Sequence, residues 1–200
     1  MLNFVLAASC TTNAIVPIIK LINDTYTVKS GHIESIHSYT SSQNLLDNFH
    51  KKPRRGRAAA VNMVLTTTGA GTATGIVLPE MAGKLTANAV RIPTPNVSLA
   101  ILNLELDNET TIEAINQTVK KASLAGDLME QIMFSDNIDF VSSDVIGTTT
   151  PSVFDAPSTL ISQDGKRVTL YVWYDNEYGY SCQVVRLAKY AAKVIRHTYY

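Results

Sequence analysis

The chain has 200 residues, 46% hydrophobic and 17% charged, with 17 basic and 17 acidic side chains that cancel. A chain of this size buries a real core in one large domain or two small ones, and its neutrality offers no argument for a nucleic-acid or membrane-surface partner. Two cysteines far apart, Cys10 and Cys182, exclude a disulfide framework and fit a reducing, cytoplasmic compartment.

In chain order, Leu2 to Leu6 predicts a buried strand leading into Cys10. It lacks the positive flank and the length of a secretory signal, and no apolar run reaches the length of a membrane span. Ile15, Ile18, Ile19 and Ile22 recur at helical spacing, so a helix follows Cys10, with Pro17 kinking it or moving its start toward Thr12. Ile33 to His37 predicts a strand. Ser38 to Leu65 is polar and then basic, with the run Lys51-Lys52-Pro53-Arg54-Arg55-Gly56-Arg57, and reads as a long ordered loop. That run has a single nearby aromatic, Phe49, and no stacking pattern for nucleic acid.

Thr66 to Gly75 reads as a small-residue turn region. Its glycines resemble a dinucleotide loop, but the third falls one residue late and no βαβ unit surrounds it. Ala87 to Ile92 and Val97 to Leu106 predict strands. Thr110-Thr111-Ile112-Glu113 matches a capping box opening a helix with Ile112, Ile115, Val119 and Ala122 on one face. Phe140 to Val145 and Arg167 to Tyr174 predict two more strands, and Ser181 to Ile195 a final amphipathic helix. Strands and helices mix without strict alternation, which predicts an α+β fold with much antiparallel pairing.

The chemistry gathers in Ala8-Ser9-Cys10-Thr11-Thr12-Asn13. A thiol at a helix N-terminus feels the positive end of the dipole, which favours the nucleophilic thiolate. His37, closing a strand, is the candidate base. Thr11, Thr40 and Thr68 supply hydroxyls, Gly69 a backbone donor, and Arg57 and Arg91 bidentate anion holders. Asn176, in Trp173-Tyr174-Asp175-Asn176-Glu177-Tyr178-Gly179-Tyr180-Ser181, has both donor and acceptor for a carboxamide ligand. No Cys/His spacing suggests a metal site.

Taken together, several motifs resemble phosphorylating glyceraldehyde-3-phosphate dehydrogenase. They are Ala8 to Asn13, Ile36-His37-Ser38-Tyr39-Thr40, Arg54-Arg55-Gly56-Arg57-Ala58-Ala59-Ala60, Thr67-Thr68-Gly69-Ala70, Leu78-Pro79-Glu80, Gly83-Lys84-Leu85, Arg91 to Ser98, and Trp173 to Tyr180, in the family's order. The resemblance implies the family's catalytic half over residues 1–200, with the amino-terminal Rossmann domain expected to be absent from this chain. The implied fold is a large mixed, mostly antiparallel sheet with helices packed on one face. Cys10 is then the nucleophile that forms a thioester, and His37 its base. Ser9, Thr11, Thr40, Ser42, Arg57, Thr68, Gly69 and Arg91 contact substrate phosphate or inorganic phosphate. Asn176 orients the nicotinamide of NAD, with Tyr180 beside it.

The implied reaction converts glyceraldehyde 3-phosphate to 1,3-bisphosphoglycerate with hydride transfer to the cofactor, in a homotetramer. The isolated domain is expected to turn over little. Ala14, Ser42, Asn48-Phe49, Thr72 and Ile101 depart from the common family residues, and Asn48-Phe49 leaves NADP open as the cofactor. Rival readings are an erythrose-4-phosphate dehydrogenase, a non-catalytic assembly module keeping the fold, and a thiol hydrolase using only Cys10 and His37.

Overall fold

The computed structural model describes residues 5–194. Helix α1 (Cys10–Tyr26) leads into β1 (Val28–Ser38), followed by a long loop with a short 3-10 turn at Pro53–Gly56. Then come β2 (Val64–Thr67), α2 (Ala70–Val77), β3 (Leu85–Ile92), β4 (Ser98–Leu106), α3 (Ile112–Leu124), β5 (Ile132–Ser135), β6 (Ser152–Asp155), β7 (Leu160–Ile161), β8 (Arg167–Tyr174) and α4 (Tyr178–Ala191). The strands form one eight-stranded mixed sheet in the order β2-β3-β1-β4-β8-β6-β5, with β7 paired to β8. Only β1/β3 and β5/β6 are parallel; the other pairings are antiparallel. The expected fold class is therefore the observed one.

Period-2 alternation sorts the strands' side chains. In β4, Ala100, Leu102, Leu104 and Leu106 are buried, while Asn103 and Glu105 face outward. The register places Ile33 opposite Leu102 and Leu102 opposite Leu170, so these share one face. Against that face packs α1, whose Ile15, Ile18, Ile19 and Ile22 are fully buried in the same cluster. Each buried aliphatic side chain contributes about 1.5–3 kcal/mol relative to exposure. Pro17 sits inside α1 and is buried. The helix nevertheless starts at Cys10, because the Ser9 hydroxyl accepts from the Thr12 amide at 3.1 Å and caps it.

Several expectations need correction. Val5 and Leu6 are exposed and in no strand, and the rest of the predicted Leu2–Leu6 strand lies outside the described residues. The small-residue region is β2 running into α2. Glycine is needed there for close approach, since a Cβ on Gly71 would come 2.8 Å from the Leu85 carbonyl. The cap of α3 is Thr111, whose hydroxyl accepts from Ala114 N; Glu113 then falls at the second helical position and the predicted capping box does not form. Phe140–Val145 is not a strand. The Asp144 carboxylate takes the Val141 amide and closes a 3-10 turn over Ser142–Val145. The strands in this region are β5 and β6 instead. Helix α4 begins at Tyr178 rather than Ser181, and Ile195 lies outside the described residues.

Candidate active site

Four strand ends meet over the first turn of α1. Strands β1, β3 and β8 run in one direction and β4 opposes them. Their pairing brings Ser38, Arg91, Ser98 and Tyr174 together at one end of the strands. Cys10, first residue of α1, places Sγ 3.6 Å from His37 Nε2. Just before it, Ala8 takes a positive φ of 56°, strained for a side chain with a Cβ. The turn is held by the Tyr180 hydroxyl, which donates to Ala8 O at 3.1 Å, and by Asn13, whose amide donates to Ala7 O and Ser9 O. Tyr180 thus fixes the approach to Cys10.

The His37 ring is boxed in. Nδ1 lies 2.7 Å from the Ser38 carbonyl and 2.6 Å from Arg91 Nη1, and that same Nη1 donates to Ser38 O at 2.9 Å. The Tyr174 ring meets His37 edge-on, with centroids 6.0 Å apart. Its buried hydroxyl bridges Thr11 Oγ1 and Ser35 Oγ, 2.9 Å to each, tying the turn that carries Cys10 to the strand that carries His37. Burial pushes the Tyr174 phenol up to about 12, so it stays neutral.

Burial also raises the Cys10 thiol, against hydrogen bonds from Thr11 and the charge of Arg91 that pull it down. Burial, then Arg91, lowers the His37 imidazole to about 4. The pair therefore rests as thiol and neutral imidazole at neutral pH. The helix N-terminus alone predicts a thiolate; desolvation of the sulfur outweighs it.

A cleft of about 300 Å³ opens over this pair and is lined by Ser9, Cys10, Thr11, His37, Thr68, Gly69 and Arg91, among others. A larger groove of about 720 Å³ along α4 holds neither Cys10 nor His37. Thr40 and Ser42 form an adjoining shelf, 2.9 Å apart, and Arg55 reaches it with Nη1 3.3 Å from Ser42 while Nη2 donates to Thr66 at 2.9 Å. Arg55 and Arg91 are close enough that burial and then the charge of Arg55 lower the Arg91 guanidinium. Among the described residues, both Nε atoms and both amide atoms of buried Gln43 have no protein partner. Two neighbouring guanidiniums with unused N–H donors have the chemistry to hold an anion. Arg57, the arginine expected here, instead makes an exposed ion pair with Asp47 at 3.2 Å. Arg55, not Arg57, is the arginine of this run that reaches the Thr40–Ser42 shelf.

Asn176 follows β8. Its Oδ1 accepts from the Ser38 and Ser98 hydroxyls, 2.9 Å each, and among the described residues Nδ2 has no protein partner. Asp175 holds the start of α4: three backbone amides, from Gly147, Glu177 and Tyr178, outweigh the upward push of burial and lower its carboxyl. Sequence reasoning missed Arg55, Ser35, Ser98 and Tyr174. Only the alternation of Ser35 and His37 on one face of β1 signalled the first of the hydroxyl partners.

The family model described as glyceraldehyde 3-phosphate dehydrogenase, C-terminal domain, matches residues 9–176. The chain is 55% identical to a glyceraldehyde-3-phosphate dehydrogenase-like protein of Pseudomonas aeruginosa over 188 residues, covering 94% of this chain and 40% of that protein. It is 47% identical to glyceraldehyde-3-phosphate dehydrogenase 1 of Bacillus subtilis, covering 93% of this chain and 55% of that protein. With glyceraldehyde-3-phosphate dehydrogenase of Priestia megaterium the identity is also 47%, over 95% of this chain and 56% of that protein. The chain spans about half the length of the curated relatives it matches.

Proposed function

The chain belongs to the glyceraldehyde 3-phosphate dehydrogenase C-terminal domain family, and from that premise we propose that it supplies the nucleophile, base and anion holders for phosphorylating oxidation of glyceraldehyde 3-phosphate. The observation that carries this is Cys10 Sγ 3.6 Å from His37 Nε2, beside the paired guanidiniums of Arg91 and Arg55. A half-buried thiol with a base in contact and anion donors alongside is suited to attack on a phosphorylated carbonyl compound.

In this mechanism His37 takes the thiol proton at Nε2, and Cys10 Sγ bonds to the aldehyde carbon. The developing oxyanion is stabilised by the imidazolium and the Cys10 amide at the α1 N-terminus. Loss of the carbon-bound hydrogen as hydride, for which a bound nicotinamide would be the acceptor, would leave a thioester on Cys10. Inorganic phosphate, held near Ser9, Thr11, Thr68 and Gly69, attacks that carbonyl; the C–S bond breaks and an acyl phosphate leaves. Thr40, Ser42, Arg55 and Arg91 hold the substrate phosphate.

A bound nicotinamide supplies the hydride acceptor. Asn176 fits its carboxamide: with Oδ1 pinned by two serine hydroxyls, only the amide N–H end is left to donate. The chain spans about half the length of its relatives, and in this reading it carries little NAD-dependent turnover by itself. The sheet face opposite the helices leaves Leu99, Ile101, Tyr171 and Trp173 half-buried, which supports assembly with further subunits. No helix among the described residues is long and apolar enough to cross a membrane.

The half-reaction that needs no cofactor tests this directly. Acetyl phosphate and the 200-residue chain should give a thioester on Cys10, read as an acetyl mass shift in that peptide, with phosphate leaving. Cys10→Ser abolishes it, and His37→Ala slows it by about 10²-fold or more. Arg55→Gln slows it more than Arg57→Gln does. Acetylation of Cys10 no faster than of Cys182 would remove the proposal.

A further inference from the structure

Three successive carbonyls on the approach to Cys10 are each taken by a side chain. Asn13 Nδ2 donates to Ala7 O at 2.6 Å and to Ser9 O at 2.9 Å, and the Tyr180 hydroxyl donates to Ala8 O between them at 3.1 Å. Carbonyl oxygens only accept, so the N–H end of the Asn13 carboxamide is the end that faces them. Ser9 O is held twice by the same residue, because the Asn13 backbone amide also donates to it at 2.9 Å as the first bond of the helix. The carboxamide spans Ala8, whose φ of 56° is costly for a residue with a Cβ. One asparagine thus pins the chain on both sides of the strained residue.

The consequence falls on the far side of the peptide plane. In a trans peptide the C=O and the following N–H point in opposite directions. Holding Ser9 O therefore aims the Cys10 N–H. That N–H is one of the amides at a helix start that the helix itself does not use, whereas the Thr12 N–H is spent on the Ser9 hydroxyl. Ser9 and Cys10 both line the cleft. A carbonyl that accepts two hydrogen bonds is also polarised, which strengthens the donor at the other end of the same peptide.

We propose that Asn13 is a positioning residue: through Ser9 O it aims and strengthens the Cys10 N–H toward the carbonyl oxygen of an acyl group reacting with Cys10. This rests on the acyl chemistry given to Cys10 above. In that step Sγ bonds to the carbonyl carbon, the thiol proton passes to His37 Nε2, and an electron pair of the C=O bond moves onto oxygen. The charge stays there until the bond to the leaving group breaks and that bond's electrons depart with the group. A donor fixed in advance stabilises the charge without having to turn toward it. The thiolate depends little on this amide. Burial raises the Cys10 thiol; the Thr11 hydroxyl and amide, then Arg91, and last the Cys10 amide lower it.

The test compares two electrophiles on the 200-residue chain at one pH. Acetyl phosphate develops negative charge on a carbonyl oxygen, and phosphate leaves. Iodoacetamide loses iodide from a saturated carbon and develops no such charge. Both consume the same thiolate, so the ratio of the two Cys10 rates cancels its population. Mass spectrometry of the Cys10 peptide reads both, with Cys182 as reference. Asn13→Ala should slow acetylation on the order of tenfold and change alkylation by less than about twofold.

An equal fall in both rates would make Asn13 a brace of the fold and overturn the proposal, as would no change in either. A wild-type chain that is alkylated but not acetylated at Cys10 would overturn the acyl reading and the proposal with it. If Asn13→Ala does not fold, Asn13→Ser, polar but too short to span both carbonyls, is judged by the same ratio.

Discussion

The helix-facing side of the sheet is aliphatic through its middle and polar at one end, although the same strands run through both. Ile33 on β1, Leu102 on β4 and Leu170 on β8 are fully buried against α1. A few residues along those strands, Ser35, Ser98 and Tyr174 are as deeply buried but polar, and each has a hydrogen-bond partner. In the middle, burial stabilises in proportion to apolar area. At the end, each hydrogen bond gains only about 1 kcal/mol net and leaving one unmade costs more. The polar end is therefore poor in stability and rich in positioned groups, which suits chemistry.

The sharpest way to separate the regions is Leu102→Ala. It should cost about 2–5 kcal/mol in chemical denaturation, while Cys10 in the folded fraction acetylates at the wild-type rate. A parallel fall in that rate would show that the two regions are not independent.

Next comes acid. His37 has its ordinary value of 6.5 when unfolded but is held to about 4 when folded. Its contribution is present above pH 6.5 and is lost as the pH falls toward 4, because the unfolded chain binds the proton first; the loss is roughly 3 kcal/mol. Denaturation midpoints measured across that window should fall less in His37→Gln than in wild type. Equal slopes would place the acid sensitivity elsewhere.

Tyr174→Phe keeps the ring but removes the bridge between Thr11 and Ser35. It should cost about 1–3 kcal/mol, and it should also move the pH profile of Cys10 alkylation. A loss of stability with that profile unmoved would reduce the hydroxyl to a core hydrogen bond.

These contrasts also explain what could be read in advance. Long periodic elements such as α1, β1, β4 and β8 were legible because alternation or helical spacing persists for two turns or more. Strands β5 and β6 were not: four residues give no period, and every residue of Ser152–Asp155 is buried, which erases the alternation. Phe140–Val145 looked extended by composition, but one carboxylate, Asp144, bends it by taking the Val141 amide.

In the site, Cys10, His37 and Arg91 were legible from the motifs around them. Which arginine of Arg54-Arg55-Gly56-Arg57 turns inward was not. The 3-10 turn at Pro53–Gly56 decides it, with buried Gly56 pressed against the Asn48 carbonyl, where a Cβ would not fit. Tyr174 occupies a core-facing position of its strand, so nothing in the spacing set it apart from its aliphatic neighbours. Its hydroxyl matters only because Thr11, 163 residues earlier, folds back onto it.

Helix α1 packs against β1, β4, β6, β8 and all three other helices, and its central isoleucines are sealed from solvent. Amide protons at Ile18, Ile19 and Ile22 should therefore exchange with deuterium only when the whole domain opens. Cys10 stands on the first turn of that same element. Cys10, the nucleophile we propose, therefore rides on a rigid helix, and heating should abolish its reactivity and melt the domain in a single cooperative event.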